Sequence, residues 1–151
     1  MKEIKFTETG TLLIVIFLVV LGFVQWSYFS QYGSKPLTLT PYLILTGLFS
    51  LILLLFYKLT IQVGKNKLEF IYGIGMIKIT KKIDNILSIE ELKTPWYWGL
   101  GIRMTPKGWL FNIQSRESLC INYMFNGKEN RILVGSKDRE MLKNSLAVQL
   151  G

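Results

Sequence analysis

The chain begins with two long stretches that carry no charged residue, and they limit its fold more than any other feature. The first covers residues 9–34 and the second residues 36–57, with Lys35 between them. As an α-helix, residues 11–29 reach roughly 28 Å, close to the ~30 Å hydrocarbon thickness of a bilayer. We therefore predict two membrane spans, over residues 11–30 and 37–57, which form a hairpin within residues 1–58.

Two other interpretations of these stretches were weighed. Two helices that are apolar on all sides would need a large soluble core around them, and a chain of 151 residues leaves too little sequence to build it. A cleaved signal peptide would end in a small-x-small motif, whereas residues 28–32 read Tyr-Phe-Ser-Gln-Tyr, and Glu3 precedes the apolar run. We expect the first helix to remain attached.

Positive charge is unequally divided between the segments that flank the spans. Lysines precede the first span and follow the second, at positions 2, 5, 58, 65 and 67, whereas Lys35 is the one charged residue between the spans. Short loops rich in Lys and Arg stay on the cytoplasmic side of a membrane. The sequence therefore predicts a multi-pass protein with both termini in the cytoplasm.

After residue 58 the pattern changes to short β-prone segments separated by turn residues. The turns are predicted at Gly64-Lys65-Asn66, Gly73-Ile74-Gly75, Pro106-Lys107 and Asn126-Gly127, and the last of these favours a tight hairpin with positive φ angles. We predict seven or so antiparallel strands in a domain that covers residues 59–151.

The C-terminal segment has the pattern of an amphipathic helix, predicted over residues 137–150. Ser136 can cap its beginning, and Asp138 and Glu140 lie in the first turn. One apolar stripe is formed by Met141, Leu142, Ser145, Leu146 and Leu150. A helix of this kind can close an open end of a β domain.

Composition argues against most catalytic chemistry. The chain has no histidine and a single cysteine, Cys120, which alternates with apolar neighbours in a predicted strand and is expected to be a buried residue. Glu90 and Glu91 are adjacent in a strand and point to opposite faces. No phosphate-binding loop or metal-binding cluster is recognisable. We expect a protein that is not an enzyme and has no cofactor or metal.

One stretch gathers large aromatic and basic residues between glycines and prolines. The candidate ligand or membrane-interface residues are Lys93, Trp96, Tyr97, Trp98, Arg103, Lys107 and Trp109. In one interpretation the rings fill the core of the domain. In the other they form a surface that holds lipid headgroups or a partner protein. The sequence leaves both open.

Residues 58–151 contain fifteen Lys or Arg and eight Asp or Glu, so the domain is predicted to be basic. Such a domain is attracted to membrane lipids, especially anionic ones. A partner protein in the membrane is the alternative. The basic residues are scattered rather than gathered in an arm, so we expect no nucleic-acid binding.

Three motifs carry a family resemblance: Trp96-Tyr97-Trp98-Gly99-Leu100-Gly101-Ile102-Arg103, then Gly108-Trp109, then Gly135-Ser136-Lys137-Asp138 before a helix. In these motifs and in layout, the chain resembles small bacterial membrane proteins with a pleckstrin-homology-like domain behind two spans. The resemblance implies an α+β protein of the bacterial inner membrane. Its fold would be a two-helix transmembrane hairpin followed by a β-rich pleckstrin-homology-like barrel of two packed sheets, capped by the C-terminal helix.

The leading hypothesis is a membrane-anchored, non-enzymatic binding or scaffolding module at the cytoplasmic face, which contacts lipid headgroups or a protein partner. The alternative is a structural or assembly subunit of a larger membrane complex, whose neighbours pack on the small residues Gly22, Thr46, Gly47 and Ser50. A pore-forming oligomer is a third hypothesis. It would need a polar face on its spans, which Gln25 alone does not supply.

Overall fold

Two long apolar helices, two β-sheets and one C-terminal helix make up this α+β chain in a computed structural model, which describes residues 4–31, 33–95, 98, 101–114 and 117–150. The elements are β1 (Ile4–Thr9), α1 (Thr11–Ser30), α2 (Leu39–Phe56), β2 (Lys58–Gly64), β3 (Lys67–Tyr72), β4 (Ile77–Lys82), β5 (Asn85–Lys93), β6 (Gly101–Thr105), β7 (Gly108–Asn112), β8 (Glu117–Phe125), β9 (Lys128–Gly135) and α3 (Arg139–Leu150).

The helices α1 and α2 match the two predicted spans to within two residues at each end. Their most apolar windows have mean hydropathies of 2.4 and 2.2, and both helices are long enough to cross a membrane. Val24 is the one residue of α1 that is buried, and no residue of α2 is. A core helix of a soluble protein would be mostly buried, so this interpretation does not fit the hairpin.

Aromatic side chains hold the two helices together. The rings of Phe17 and Phe49 meet edge to face with centroids 6.0 Å apart. Near the loop that joins the helices, Tyr28 and Tyr42 stack at 4.1 Å, and the Tyr42 hydroxyl donates a hydrogen bond of 2.7 Å to Gln25 Oε1. The carboxamide oxygen of Gln25 is therefore hydrogen-bonded within the hairpin.

The strand β1 was not predicted from the sequence. It pairs antiparallel with β2, in register from Ile4 opposite Val63 to Thr9 opposite Lys58. At the base of the hairpin the Gly10 amide donates a 2.8 Å hydrogen bond to the Tyr57 carbonyl. The hairpin is thus an insertion between two neighbouring strands, and Ile4–Thr9 of the predicted segment 1–58 lie in the sheet.

The strands form a four-stranded antiparallel sheet, in the order β1-β2-β3-β4, and a five-stranded sheet, in the order β5-β8-β9-β7-β6. The expectation of seven or so antiparallel strands was wrong in two respects. The described residues contain nine strands, and β7 pairs with β9 in parallel. The parallel pair arises because β9 returns alongside β8 and inserts between β8 and β7, a non-local pairing that turn motifs do not encode.

The sheets and α3 share one hydrophobic core. The rings of Phe70, on β3, and Phe111, on β7, stack across it with centroids 4.0 Å apart. From α3, Leu142 and Leu146 are fully buried, which confirms the amphipathic character of the helix. Met141, by contrast, is 58% exposed and lies outside the buried stripe, and the side chain of Leu150 lies outside the described part.

A buried carboxylate fixes the beginning of α3. Glu8 of β1 is 6% exposed and accepts hydrogen bonds from the Ser136 hydroxyl at 2.9 Å and from the Lys137 amide at 2.7 Å. Ser136 Oγ in turn accepts the Asp138 amide at 3.2 Å. The helix begins at Arg139, two residues later than predicted, because residues 136–138 form this junction with β1.

We call the end of the β domain that joins α1 and α2 the helix-proximal end, and the opposite end the distal end. At the helix-proximal end, a Cβ atom on Gly10 would lie 3.0 Å from the side chain of Ile113, which follows β7. At the distal end the turns of both sheets meet. The Ile83 amide donates to the Asn66 carbonyl at 3.0 Å, and the Asn126 amide donates to Asp84 Oδ2 at 2.8 Å.

Candidate functional site

Of the seven residues predicted as one site, the structure describes five, and it places them in two parts of the domain. Lys93 closes β5 and Trp98 follows it at the helix-proximal end, whereas Lys107 occupies the β6–β7 turn at the distal end. Arg103 and Trp109 lie within β6 and β7. Trp96 and Tyr97 fall outside the described residues. Among the described members, Lys93 and Trp98 therefore lie at one end of the domain, and the other three share the β6–β7 hairpin.

Trp109 is the ring whose surroundings decide between core and surface. It lies on the same face of β7 as the buried Phe111, but near the distal end of the strand, and is 40% exposed. Its cross-strand partner Met104 is 75% exposed, and Lys81 Nζ lies 5.8 Å from the centre of the indole. Trp109 thus belongs partly to the surface, with a cation beside it.

Cys120 occupies a second buried cluster, on the outer face of the five-stranded sheet. It pairs with Leu133, which in turn pairs with Leu110, and both leucines have no exposed surface. Burial raises the pKa of the Cys120 thiol, which disfavours the reactive thiolate. A structural role fits these surroundings.

Basic side chains concentrate at the distal end, in a group that we call the distal basic surface. Its members are Lys65, Lys67, Lys81, Lys82, Lys107, Lys128 and Arg131. Among the described residues of that end, the acidic ones are Glu69, Asp84 and Glu129. This surface was not predicted from the sequence, because its members lie in, beside or near four separate turns. The signal was a lysine in or next to each of these turns.

Within this surface two lysines face each other. Lys67 and Lys82 are direct partners across the β3–β4 ladder, a like-charge pairing that destabilises a sheet. Glu69, 6% exposed, forms ion pairs with Lys78 at 2.9 Å and Lys67 at 3.2 Å. The hydrogen bond from Lys78, followed by that from Lys67, holds the pKa of Glu69 below its usual value. Glu69 offsets part of the repulsion between Lys67 and Lys82. The charge of Lys82 adds to the positive charge of the distal basic surface.

A shallow cavity of about 440 Å³ lies at the distal end. It is lined by Pro106, Lys107, Gly108, Glu129, Asn130 and Arg131. Gly108 has φ of 119°, and a Cβ atom there would lie 2.6 Å from the Arg131 carbonyl oxygen. The glycine thus lets the β6–β7 turn approach β9 closely, which brings Lys107 beside Arg131.

A second cavity, of about 490 Å³, lies between β1 and α3, where Ile4, Phe6 and Met141 contribute apolar side chains. It borders an edge strand of the four-stranded sheet. No basic cluster adjoins it among the residues that line it, apart from Lys5. Among the described residues, no three His, Cys, Asp or Glu side chains are grouped so that they could hold a metal ion.

Charge at the helix-proximal end is more evenly balanced. Arg139 pairs with Glu91 at 3.1 Å and with Glu117 at 2.7 Å, and Lys143 adds a contact to Glu91 at 3.8 Å. Lys58 Nζ lies 5.3 Å from the ring centre of Tyr57, where α2 meets the sheet. The excess of positive charge is therefore greater at the end that points away from the helices.

No protein-family model, curated protein or solved structure matches the chain. The resemblance to proteins with a pleckstrin-homology-like domain stays a prediction. Function must follow here from the geometry of the described residues alone.

Proposed function

We propose that this protein is a membrane-anchored, non-enzymatic binding module of a bacterial inner membrane. Its helices α1 and α2 cross the bilayer, and a β domain of the pleckstrin-homology-like class stands on the cytoplasmic face. The domain binds an acidic protein partner through the distal basic surface. The observation that carries the proposal is the placement of this surface opposite the end at which the hairpin joins the sheet.

The base of the hairpin supports the anchoring role. Because β1 precedes α1 and pairs with β2, which follows α2, both arms of the hairpin leave the same sheet. Two spans that leave one sheet return the chain to the side from which it started. The loop that joins them carries Lys35, and the domain carries the remaining described basic residues, which favours a cytoplasmic domain.

Distance favours a protein partner over the lipids of the same membrane. The strands β3 and β4 each have six residues, which at about 3.3 Å per residue separate their ends by roughly 20 Å. Electrostatic attraction in physiological salt decays over about 8 Å. With the strands standing along the membrane normal, lysines at the distal end lie beyond the electrostatic reach of the headgroups and are available to an acidic surface in the cytoplasm.

Binding is tested with the full chain in nanodiscs of zwitterionic lipid and a fluorescent polyglutamate peptide as the acidic probe. The double variant Lys82→Glu/Lys107→Glu should weaken binding about tenfold or more, since it reverses two charges of the distal basic surface. The matched control, Lys93→Glu/Lys137→Glu, reverses two exposed lysines of the helix-proximal end and should change binding little. Equal losses in both variants would contradict the proposed partner surface.

Orientation is tested by labelling introduced cysteines with a membrane-impermeant maleimide in intact spheroplasts. Ser34→Cys lies in the loop between the spans and should react from outside. Asn126→Cys lies at the distal end of the domain and should react only after the membrane is opened. Reaction of Asn126→Cys in intact spheroplasts would refute a cytoplasmic domain.

One observation favours the second candidate, a subunit of a larger membrane complex. Gly22 and Gly47 lie on open surfaces of the hairpin, where a Cβ atom would meet nothing within 4 Å. The hydroxyl of Thr46 is enclosed without a hydrogen-bond partner among the described residues. Purification in mild detergent tests this candidate, because a companion protein at fixed stoichiometry that is lost in Gly47→Leu would identify a helix partner.

A further inference from the structure

We propose that the β3–β4 turn, residues 73–76, is a second membrane contact of this protein. The turn places Ile74 and Met76 in the headgroup layer beside the inner end of α2, and so holds the domain in a fixed orientation on the bilayer. The inference rests on the proposed membrane anchoring by α1 and α2, and it adds a lipid-binding surface outside both spans.

The backbone of the turn packs directly on the end of α2. The Gly73 amide donates a 2.8 Å hydrogen bond to the Lys58 carbonyl. A Cβ atom on Gly73 would lie 2.2 Å from the carbonyl oxygen of Leu54 and 2.5 Å from that of Leu55. A helix rises about 1.5 Å per residue, so Leu54 is about 3 Å inside the end of α2 at Phe56. The turn thus reaches the level at which the span leaves the bilayer.

The aromatic rings at this junction keep the turn and the helix together. Phe56, the last residue of α2, packs edge to face on Tyr72, the last residue of β3, with ring centroids 5.7 Å apart. Tyr72 is fully buried in the core of the domain. The end of the span is therefore fastened to the strand from which the turn emerges, and the depth of the turn follows from the depth of the span.

The side chains of the turn suit a lipid environment better than water. Ile74 is 59% exposed and Met76 is 68% exposed, and Gly75 lies between them. Isolated exposed apolar residues are common on protein surfaces, but these two adjoin the helix end that enters the bilayer. Lys58, whose carbonyl accepts the Gly73 amide, and its neighbour Tyr57 lie at the base of the turn, and a tyrosine and a lysine are side chains that favour the headgroup layer. The turn adjoins the last turn of α2 through Gly73, and lipid is the occupant that suits both the exposed apolar residues of α2 and those of the turn.

The test measures membrane depth with a fluorophore at single cysteines. In the full chain with Cys120→Ala, the variants Met76→Cys, Asn126→Cys and Val19→Cys carry an environment-sensitive NBD label. Asn126 is the distal control, and Val19, 67% exposed on α1, is the control inside the span. The protein is reconstituted in vesicles, with and without lipids that carry a nitroxide quencher near the top of the acyl chain.

We expect the quencher to reduce emission at Met76→Cys and at Val19→Cys and to leave Asn126→Cys unchanged. If Val19→Cys is quenched while Met76→Cys behaves like Asn126→Cys, the turn does not touch the bilayer and the inference is wrong, although the anchor stands. If Val19→Cys is itself not quenched, the proposed anchoring fails, and the inference fails with it. Ile74→Cys repeats the measurement at the neighbouring position, so that a local effect of one label cannot decide the outcome.

Discussion

Glu8 offers the sharpest test of how β1 is joined to the rest of the domain. Its carboxylate lies on the inward face of the strand and accepts the Ser136 hydroxyl at 2.9 Å and the Lys137 amide at 2.7 Å. In Glu8→Ala the hydroxyl of Ser136, a fully buried residue, loses its acceptor, which costs about 1–3 kcal/mol. The part-buried hydrogen bond from the Lys137 amide is lost as well. We therefore expect a loss of about 2–3 kcal/mol in the free energy of unfolding.

The measurement is thermal unfolding of the full chain in mild detergent, monitored by tryptophan fluorescence. For a domain of this size, about 2–3 kcal/mol corresponds to a decrease in Tm on the order of 5–15 °C. Glu8→Gln retains one oxygen acceptor and should show a smaller decrease. Thr9→Ala, at an exposed position of the same strand, is the matched control and should unfold near the wild-type temperature.

A double-mutant cycle separates the hydrogen bond from the effect of truncating the side chain. Ser136→Ala removes the donor, so Glu8→Ala should cost less in that background than in the wild type, with a coupling free energy of about 1 kcal/mol or more. If Glu8→Ala unfolds at the temperature of Thr9→Ala, or if the two variants are strictly additive, the proposed junction between β1 and α3 is refuted.

Three further predictions concern the β domain. Gly73→Ala should lower the free energy of unfolding more than Gly127→Ala does, by roughly 1–3 kcal/mol. Both residues have positive φ (57° and 72°), but only Gly73 lies against the backbone of another segment, at the end of α2. Equal losses in the two variants would contradict that packing. Lys78→Met should move acid unfolding to higher pH. The pKa of Glu69 is lowered in the fold, so its stabilisation is present above its usual pKa and is lost as the pH falls through the folded value, and removal of Lys78 raises that value. An unchanged acid transition in fluorescence-monitored titration would refute the ion pair's role. Lys82→Glu should raise Tm in low salt, by the equivalent of about 0.2–1 kcal/mol, because it removes the like-charge pairing with Lys67 across the β3–β4 ladder. A lower Tm would show that this pairing does not destabilise the sheet.

The helices and most strands could be predicted because their signals are local. A charge-free stretch of the right length is sufficient for a candidate span, and α1 and α2 begin and end within two residues of the predicted bounds. The Asn126-Gly127 turn was likewise confirmed, with φ angles of 50° and 72° between β8 and β9. Each of these features depends on residues that are neighbours in the sequence.

Pairings between distant segments were not predictable in this way. In β1, Ile4 and Phe6 alternate with Lys5 and Thr7 as in a half-buried strand, but the segment is short, and Glu8 breaks the pattern with an inward carboxylate. Its partner strand lies beyond both helices. The parallel contact of β7 with β9 also depends on a third strand and has no local signal.

The candidate site was predicted only in part for the same reason. Residues close in the sequence, such as Lys93 and Lys107, lie at opposite ends of the domain because the strand β6 runs between them. Conversely, Lys67 and Lys82 lie opposite each other because β3 pairs with β4 in a register that the sequence does not reveal. Residues that are neighbours in the sequence are spread along the domain by the strands that contain them. Residues from the turns of several hairpins are brought together at one end and form a surface there.

The insertion of the hairpin between β1 and β2 has a consequence for biogenesis. During synthesis β1 leaves the ribosome before α1 and α2, but its partner strand β2 is made only after both helices have emerged. If α1 entered the membrane in the wrong orientation, β1 would lie on the opposite side of the bilayer from its partner strand β2. The four-stranded sheet would then lack its edge strand, and the C-terminal helix would lack the carboxylate that fixes its beginning. Under the proposed anchoring, completion of the sheet therefore requires that both helices are inserted in the correct orientation, and a chain inserted wrongly would stay open to proteolysis.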